Sequence, residues 1–162
     1  MTPRFSAFIP FLIKHEVVFQ RGHFGDYNFV LTEHDPDDPG GTTRFGIDYG
    51  EHKDAPWRMS QQDIDRLTLP QAQEIYFRHW QMDGCEQLPA KIGEAVFNCA
   101  TMSGMGQARR ILGRQSTIEE FLKDEIGVFD QIAARRPAAQ KYLSGWKSRI
   151  YDEAKFLGVD IV

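Results

Sequence analysis

Cysteine is nearly missing from this sequence, with only Cys85 and Cys99 in 162 residues. Two thiols exclude a disulfide framework, and neither stands in a Cys-x-x-Cys or Cys/His zinc spacing. Both read as small core residues. A basic surplus is missing too. Nineteen Lys and Arg face 23 Asp and Glu, a net charge of −4, which excludes the phosphate-tracking footprint of nucleic-acid binding. Long hydrophobic runs are also absent. The apolar stretch from Phe5 to Ile13 is interrupted by Pro10, and no small-x-small cleavage site follows it. A membrane span needs about 20 mostly apolar residues. The expectation is therefore no stable membrane insertion, no secretory leader, and a chain made and folded in the cytoplasm.

What is present fits one globular domain. Hydrophobic residues make up 41% and include twelve Phe, enough to fill a core at this length without covalent staples. Apolar residues recur mostly at helical spacing. Phe5, Phe8, Ile9, Leu12 and Ile13 follow the amphipathic template, with Pro3 in the first turn where a missing N–H costs nothing. Ser60 with Asp63, and Thr68 with Gln71, read as capping boxes that open two further helices. The second of these places Ala72, Ile75, Tyr76, His79 and Trp80 on one face. A short helix through Ile92, Val96 and Cys99 should break at Ser103–Gly106, with another from Gly106 to Gly113. Ile118 to Ala133 marks a longer helix ended by Pro137, and Tyr142, Trp146, Ile150 and Leu157 mark the last. Trp80 and Trp146 sit on apolar helical faces and read as core.

The exception is the segment from Phe19 to Asp54. It holds six glycines, Pro36, Pro39 and little helical periodicity. Two short strands are expected there, at Phe29–Leu31 and Phe45–Tyr49. An irregular stretch of this length inside a small helical domain is normally functional or disordered. Its rings, among them Phe24, Tyr27 and Tyr49, favour function.

Two features in the first third carry chemistry. Glu16 continues the apolar stripe of the first helix, three positions after Ile13 and four after Leu12. A carboxyl at the core end of a helix is desolvated, which disfavours its charged form, the condition for a general acid. The competing reading is a boundary glutamate paired with Lys14, His15 or Arg21. The second feature is Asp35-Pro-Asp-Asp38-Pro-Gly-Gly-Thr-Thr43-Arg-Phe-Gly-Ile47. Prolines and adjacent glycines specify a rigid turn with positive-φ positions that presents carboxylates and backbone N–H groups. A calcium loop is the alternative, but position 12 of an EF-hand frame would be Gly46, where glutamate is required. An Asx-rich turn is another.

Together these residues resemble the glycoside hydrolase family 108 lysozymes, bacterial and phage N-acetylmuramidases. The residues that carry the resemblance are Glu16, Asp35-Pro36, Asp38-Pro39-Gly40-Gly41, Thr43 and Gly46-Ile47, then Leu69, Ala72, Ile75-Tyr76, Trp80 and Leu88-Pro89. Glu16-Val17-Val18 stands where the family has Glu-Gly-Gly, and the stretch Arg21–Thr32 is an insertion. The last third resembles the peptidoglycan-binding region that accompanies these enzymes, through Val96-Phe97-Asn98, Ser103-Gly104, Ala108 and Tyr142-Leu-x-Gly-Trp146-x-x-Arg149.

The resemblance implies a mainly α, lysozyme-like single domain over 1–162 with an irregular glycine-rich loop and a short β-hairpin. Residues 1–88 would form the catalytic part and 89–162 the helical peptidoglycan-binding-like part. It implies hydrolysis of β-1,4 bonds between N-acetylmuramic acid and N-acetylglucosamine in peptidoglycan glycan strands. Glycosidic cleavage needs an acid and a second carboxylate; the candidates are Glu16 and Asp35, with Asp38 behind. Thr43 is a candidate hydrogen-bonding group or a turn hydroxyl, and Tyr49, Phe24, Tyr27 and Trp57 are candidate sugar-stacking rings. No cofactor and no metal is implied. Release to the wall through a holin or at lysis, as for an endolysin or a secretion activator, is the expected route. The rival readings are a non-catalytic wall-binding protein and a secretion- or phage-associated scaffold on the same fold. Basic residues gather at Arg109, Arg110 and Arg114 and at Arg135, Arg136, Lys141, Lys147 and Arg149, which gives the chain a basic end.

Overall fold

A computed structural model of the chain describes residues 1–34, 41–52, 58–113 and 117–161. Its elements run α1 (Pro3–Glu16), β1 (Glu33–His34), β2 (Thr42–Arg44), β3 (Ile47–Asp48), α2 (Tyr49–His52), α3 (Gln61–Asp65), α4 (Leu69–Met82), α5 (Ile92–Ser103), α6 (Met105–Leu112), α7 (Ile118–Arg135) and α8 (Leu143–Leu157). Short 3₁₀ turns lie at Tyr27–Phe29, Cys85–Gln87 and Pro137–Tyr142. The fold is mainly helical with one small antiparallel sheet, as the sequence indicates. Contacts divide it into two compact units, Met1–His79 and Trp80–Val162.

In the first unit, the Thr2 hydroxyl caps α1 by accepting from the Phe5 N–H at 3.3 Å, with Pro3 at the first helical position. Pro10 sits inside the helix but on its exposed side, so the carbonyl it leaves unmatched lies toward water. Phe5, Phe8, Ile9, Phe11, Leu12 and Ile13 are buried. The helix ends when Val17 turns extended (φ −114°, ψ 140°). From there the chain runs out and back as a narrow ribbon: Leu31 N–H donates to the Val18 carbonyl at 2.8 Å, Gln20 N–H to the Phe29 carbonyl at 2.9 Å, and Phe19 bridges Val30.

The strand expected at Phe29–Leu31 does not form. The Asp26 carboxylate accepts from the Asn28 N–H at 3.1 Å and caps the 3₁₀ turn Tyr27–Phe29, a local bond that competes with a ladder; only Val30 makes an isolated bridge. The sheet comes later, in the order β1-β2-β3, pairing Glu33 with Thr43, His34 with Thr42, Thr43 with Asp48 and Arg44 with Ile47. Phe45 and Gly46 have positive φ (56° and 73°) and form the two-residue hairpin turn whose twist suits the flanking strands. The strand expected over Phe45–Tyr49 is therefore split: its first two residues turn, and Tyr49 starts α2. Ser60 and Asp63 form the expected capping box on α3, and the Gln71 side chain accepts from the Thr68 N–H at 2.9 Å ahead of α4.

In the second unit, Trp80 is fully buried, edge-on to Phe97 at 5.4 Å, with its indole N–H donating to the Glu86 carboxylate at 2.6 Å. Gly104, at φ +83°, breaks α5 from α6. Thr117 and Glu120 form a capping box at the start of α7. Arg136 is extended before Pro137, the conformation that a following proline favours. Val96, Phe97, Phe121, Leu122, Phe129 and Ile150 form the core. No helix among the described residues is long and apolar enough to cross a membrane.

Candidate active site

Glu16 is the last residue of α1, where the helix ends against the β2–β3 hairpin. It is half-buried, with its Oε1 shielded from solvent. The turn meets it at Gly46. A Cβ placed on Gly46 would stand 2.5 Å from Glu16 Oε2, 2.9 Å from Glu16 Cβ and 2.6 Å from the Tyr76 hydroxyl. Glycine is thus required here twice over, by the positive φ and by the absence of room. Tyr76, buried on α4, donates its hydroxyl to the Phe45 carbonyl at 2.8 Å. One side chain from α4 therefore pins the turn that presses on the carboxyl of α1.

Arg44 secures the same hairpin from the side. Its Nε donates to the Leu67 carbonyl at 3.0 Å and its Nη1 to the Thr32 hydroxyl at 3.2 Å, with the guanidinium 5.5 Å from the Phe45 ring centroid. His34 Nδ1 lies 3.0 Å from the Thr42 hydroxyl, and its Nε2 lies 3.6 Å from Asp65. Thr42 is buried, whereas Thr43 is half-buried opposite Asp48, as alternation along a strand dictates. Tyr49 begins α2 with its ring beside Gly41, 3.8 Å from where a Cβ would stand.

The ribbon carries the other candidate rings. Phe19 packs edge-on to Phe24 at 5.4 Å and to Tyr27 at 5.5 Å, and His23 stacks on Phe29 at 3.7 Å. Phe24, between the positive-φ residues Gly22 and Gly25, is 89% exposed. Tyr27 is half-buried and helps line a 390 Å³ cleft with Asn28, Arg44, Arg66 and Thr68. Asp35, Asp38 and Trp57 lie outside the described residues.

Glu16 and the hairpin are brought together, and Tyr76 joins them unannounced. Its sequence signals were a place on an apolar helix face and a part in the resemblance; neither put its hydroxyl on a carbonyl 31 positions away. The Val17-Val18 pair is accommodated without strain, because Val17 is extended and Val18 pairs with Leu31.

Cys99 offers no competing chemistry. Burial, with Glu125 beside it, pushes its thiol far up, so it is not a nucleophile near neutral pH. Among the described residues, no group of three or more His, Cys, Asp or Glu is placed to hold a metal ion.

The residues that carry the C-terminal resemblance hold their own unit together. Trp146 packs on Phe129 at 4.8 Å and Tyr142 lies 5.9 Å from it. Arg149 donates from Nε to the Asn98 side-chain carbonyl at 2.9 Å and from Nη2 to the Thr101 hydroxyl at 3.1 Å.

No curated protein matches the chain. Among solved structures it is similar to Brucella abortus SagA, with 19% identity, 95% of this chain and 94% of that chain covered, and a TM-score of 0.70; at that identity the likeness is one of fold. The segment that holds the sheet, the Gly46 turn and Tyr76 is also the segment that a family accounts for: residues 30–104 match Glycosyl hydrolase 108.

Proposed function

We propose that this chain is a peptidoglycan hydrolase of the N-acetylmuramidase type, cleaving β-1,4 bonds between N-acetylmuramic acid and N-acetylglucosamine with Glu16 as general acid. The observation that carries the reading is the fit at Gly46. The turn within the family-matched segment is seated on the carboxyl of Glu16, which lies outside that segment. An acid that must meet a glycosidic oxygen in one orientation benefits from a backbone wall held by a buried hydrogen bond.

In this mechanism the protonated Glu16 carboxyl delivers its proton to the glycosidic oxygen as the bond to the sugar breaks. Asp35 stabilises the sugar cation or activates water, with Asp38 behind it. Thr43 hydrogen-bonds a sugar hydroxyl, and Tyr49 and Trp57 stack on sugar faces. Phe24 and Tyr27 extend that surface along the ribbon, which begins directly after Glu16. Holin- or lysis-dependent release brings the enzyme to the wall.

The test is a suspension of purified cell wall treated with wild type and Glu16→Gln. Wild type should clear it with a rise in reducing ends, and Glu16→Gln should lose the roughly 10²–10⁴-fold that general acid catalysis supplies. Clearing that survives Glu16→Gln would remove Glu16 from the role; binding without clearing by wild type would replace hydrolysis with wall attachment.

A further inference from the structure

The second unit buries carboxylates in its core. Glu125 on α7 and Glu153 on α8 are both completely buried, and Glu94 on α5 is nearly so. Helix packing of α5 on α7 and of α7 on α8 brings them into one core. Among the described residues the guanidinium of Arg149 faces Glu125 and Glu153, and its donors reach Asn98 and Thr101. Asn98 accepts from Arg149 and donates from Nδ2 to Glu153 Oε2 at 2.7 Å, so it links the two charges through a neutral amide. The other group against the pair is the Cys99 thiol of α5. From α6 and the Pro137–Tyr142 turn the buried side chains are Ala108, Ile111 and Ala139, and on α7 itself they are Phe121, Leu122, Phe129 and Ala133. None of these seven neutralises a carboxylate.

Glu125 and Glu153 both ionised would put two charges in a low-dielectric core beside the Arg149 guanidinium, whose printed hydrogen bonds go to Asn98 and Thr101, which is far more costly than protonation. We propose that the folded second unit holds a proton on the Glu125–Glu153 pair, and that losing it as pH rises loosens α7 and α8 from α5. The unit is a pH-responsive element, and the inference stands independently of the glycosidase reading.

The direction follows from the surroundings. Burial raises Glu125 to about 7, against smaller opposing effects of Cys99 and Arg149. Burial and then the Glu125 charge raise Glu153 well above the usual range, opposed by Asn98 and Arg149 and reinforced by Glu94. Both groups bind protons more tightly folded than unfolded. Their contribution is fully present below the unfolded carboxylate value and is lost as pH rises through about 7 and beyond. One bound proton makes the opening constant rise about tenfold per pH unit in that window.

The test is amide hydrogen exchange of the intact protein between pH 5 and 9, read on peptides from α5, α7 and α8 and corrected for the intrinsic pH dependence of exchange. Wild type should lose protection in these helices by up to about tenfold per pH unit. Glu125→Gln/Glu153→Gln, which mimics the protonated pair, should keep protection flat to pH 9. Protection that is flat or rises with pH in wild type would overturn the proposal. A wild-type slope retained in the double variant would overturn it too. Should the double variant fold poorly, Glu153→Gln alone must still lower the slope, and the wild-type slope is a test by itself. Carbon-13 titration of the glutamate side chains should show a carboxyl still protonated at pH 6; two carboxylates fully ionised there would contradict it.

Discussion

Replacing Gly46 by alanine tests the site where it is tightest. Holding a non-glycine residue at φ +73° costs about 1–2 kcal/mol. The added Cβ would also lie 2.5 Å from Glu16 Oε2 and 2.6 Å from the Tyr76 hydroxyl. Relief requires the hydroxyl to leave the Phe45 carbonyl, stranding buried polar groups at about 1–3 kcal/mol, or the Glu16 carboxyl to swing away. Gly46→Ala should therefore lose roughly 2–5 kcal/mol by urea denaturation and most of its clearing activity. Gly41→Ala is the control. Its φ is +72° but among the described residues its Cβ would meet only the Tyr49 ring at 3.8 Å, so it should lose about the backbone cost of 1–2 kcal/mol. Adding Tyr76→Phe to Gly46→Ala removes one of the three close atoms and should cost less than the sum of the two single changes. Equal losses for the two glycines, with activity intact in Gly46→Ala, would refute the claim that the hairpin presses on Glu16.

Two other changes separate binding from folding. Phe24→Ala removes a ring that is 89% exposed, so stability should stay within about 0.5 kcal/mol while KM on glycan strands rises several-fold with kcat unchanged; an unchanged KM would remove the ribbon from the substrate surface. Arg149→Met removes the guanidinium that faces the buried carboxyls and should cost about 3–5 kcal/mol with a steeper loss of stability toward alkaline pH, measured by urea melts at pH 6 and 8. A neutral outcome there would mean that Arg149 does not balance that core.

The helices were legible because their signals are local. Ser60 and Thr68 cap at positions that a three-residue spacing reveals, and Pro137 and Gly104 end helices by covalent geometry. The strand expected at Phe29–Leu31 failed for an equally local reason, since β-favouring side chains lost to the Asp26 cap. The site was half legible. Glu16 stood out as a carboxyl on an apolar stripe, and the glycines stood out as turn formers. That Gly46 and Tyr76 meet at Glu16 depends on packing among residues 30 and 60 positions apart along the chain, which no spacing rule encodes. The Trp146-x-x-Arg149 pattern was visible too, but its part in the fold is to hold α8 on α5 and α7. The burial of three glutamates was not legible, for the same reason as the Tyr76 contact: helical spacing marks a face, and only the packed core shows that the face is closed.

The central claim is that Glu16 donates the proton that frees N-acetylmuramic acid at a reducing end. Soluble products from purified cell wall, reduced with borohydride and analysed by mass spectrometry, test it directly. Wild type should release fragments ending in reduced N-acetylmuramic acid, and Glu16→Gln should release essentially none while keeping the wild-type urea midpoint. Fragments ending in reduced N-acetylglucosamine, new free amines without reducing ends, or undiminished release by Glu16→Gln would contradict it.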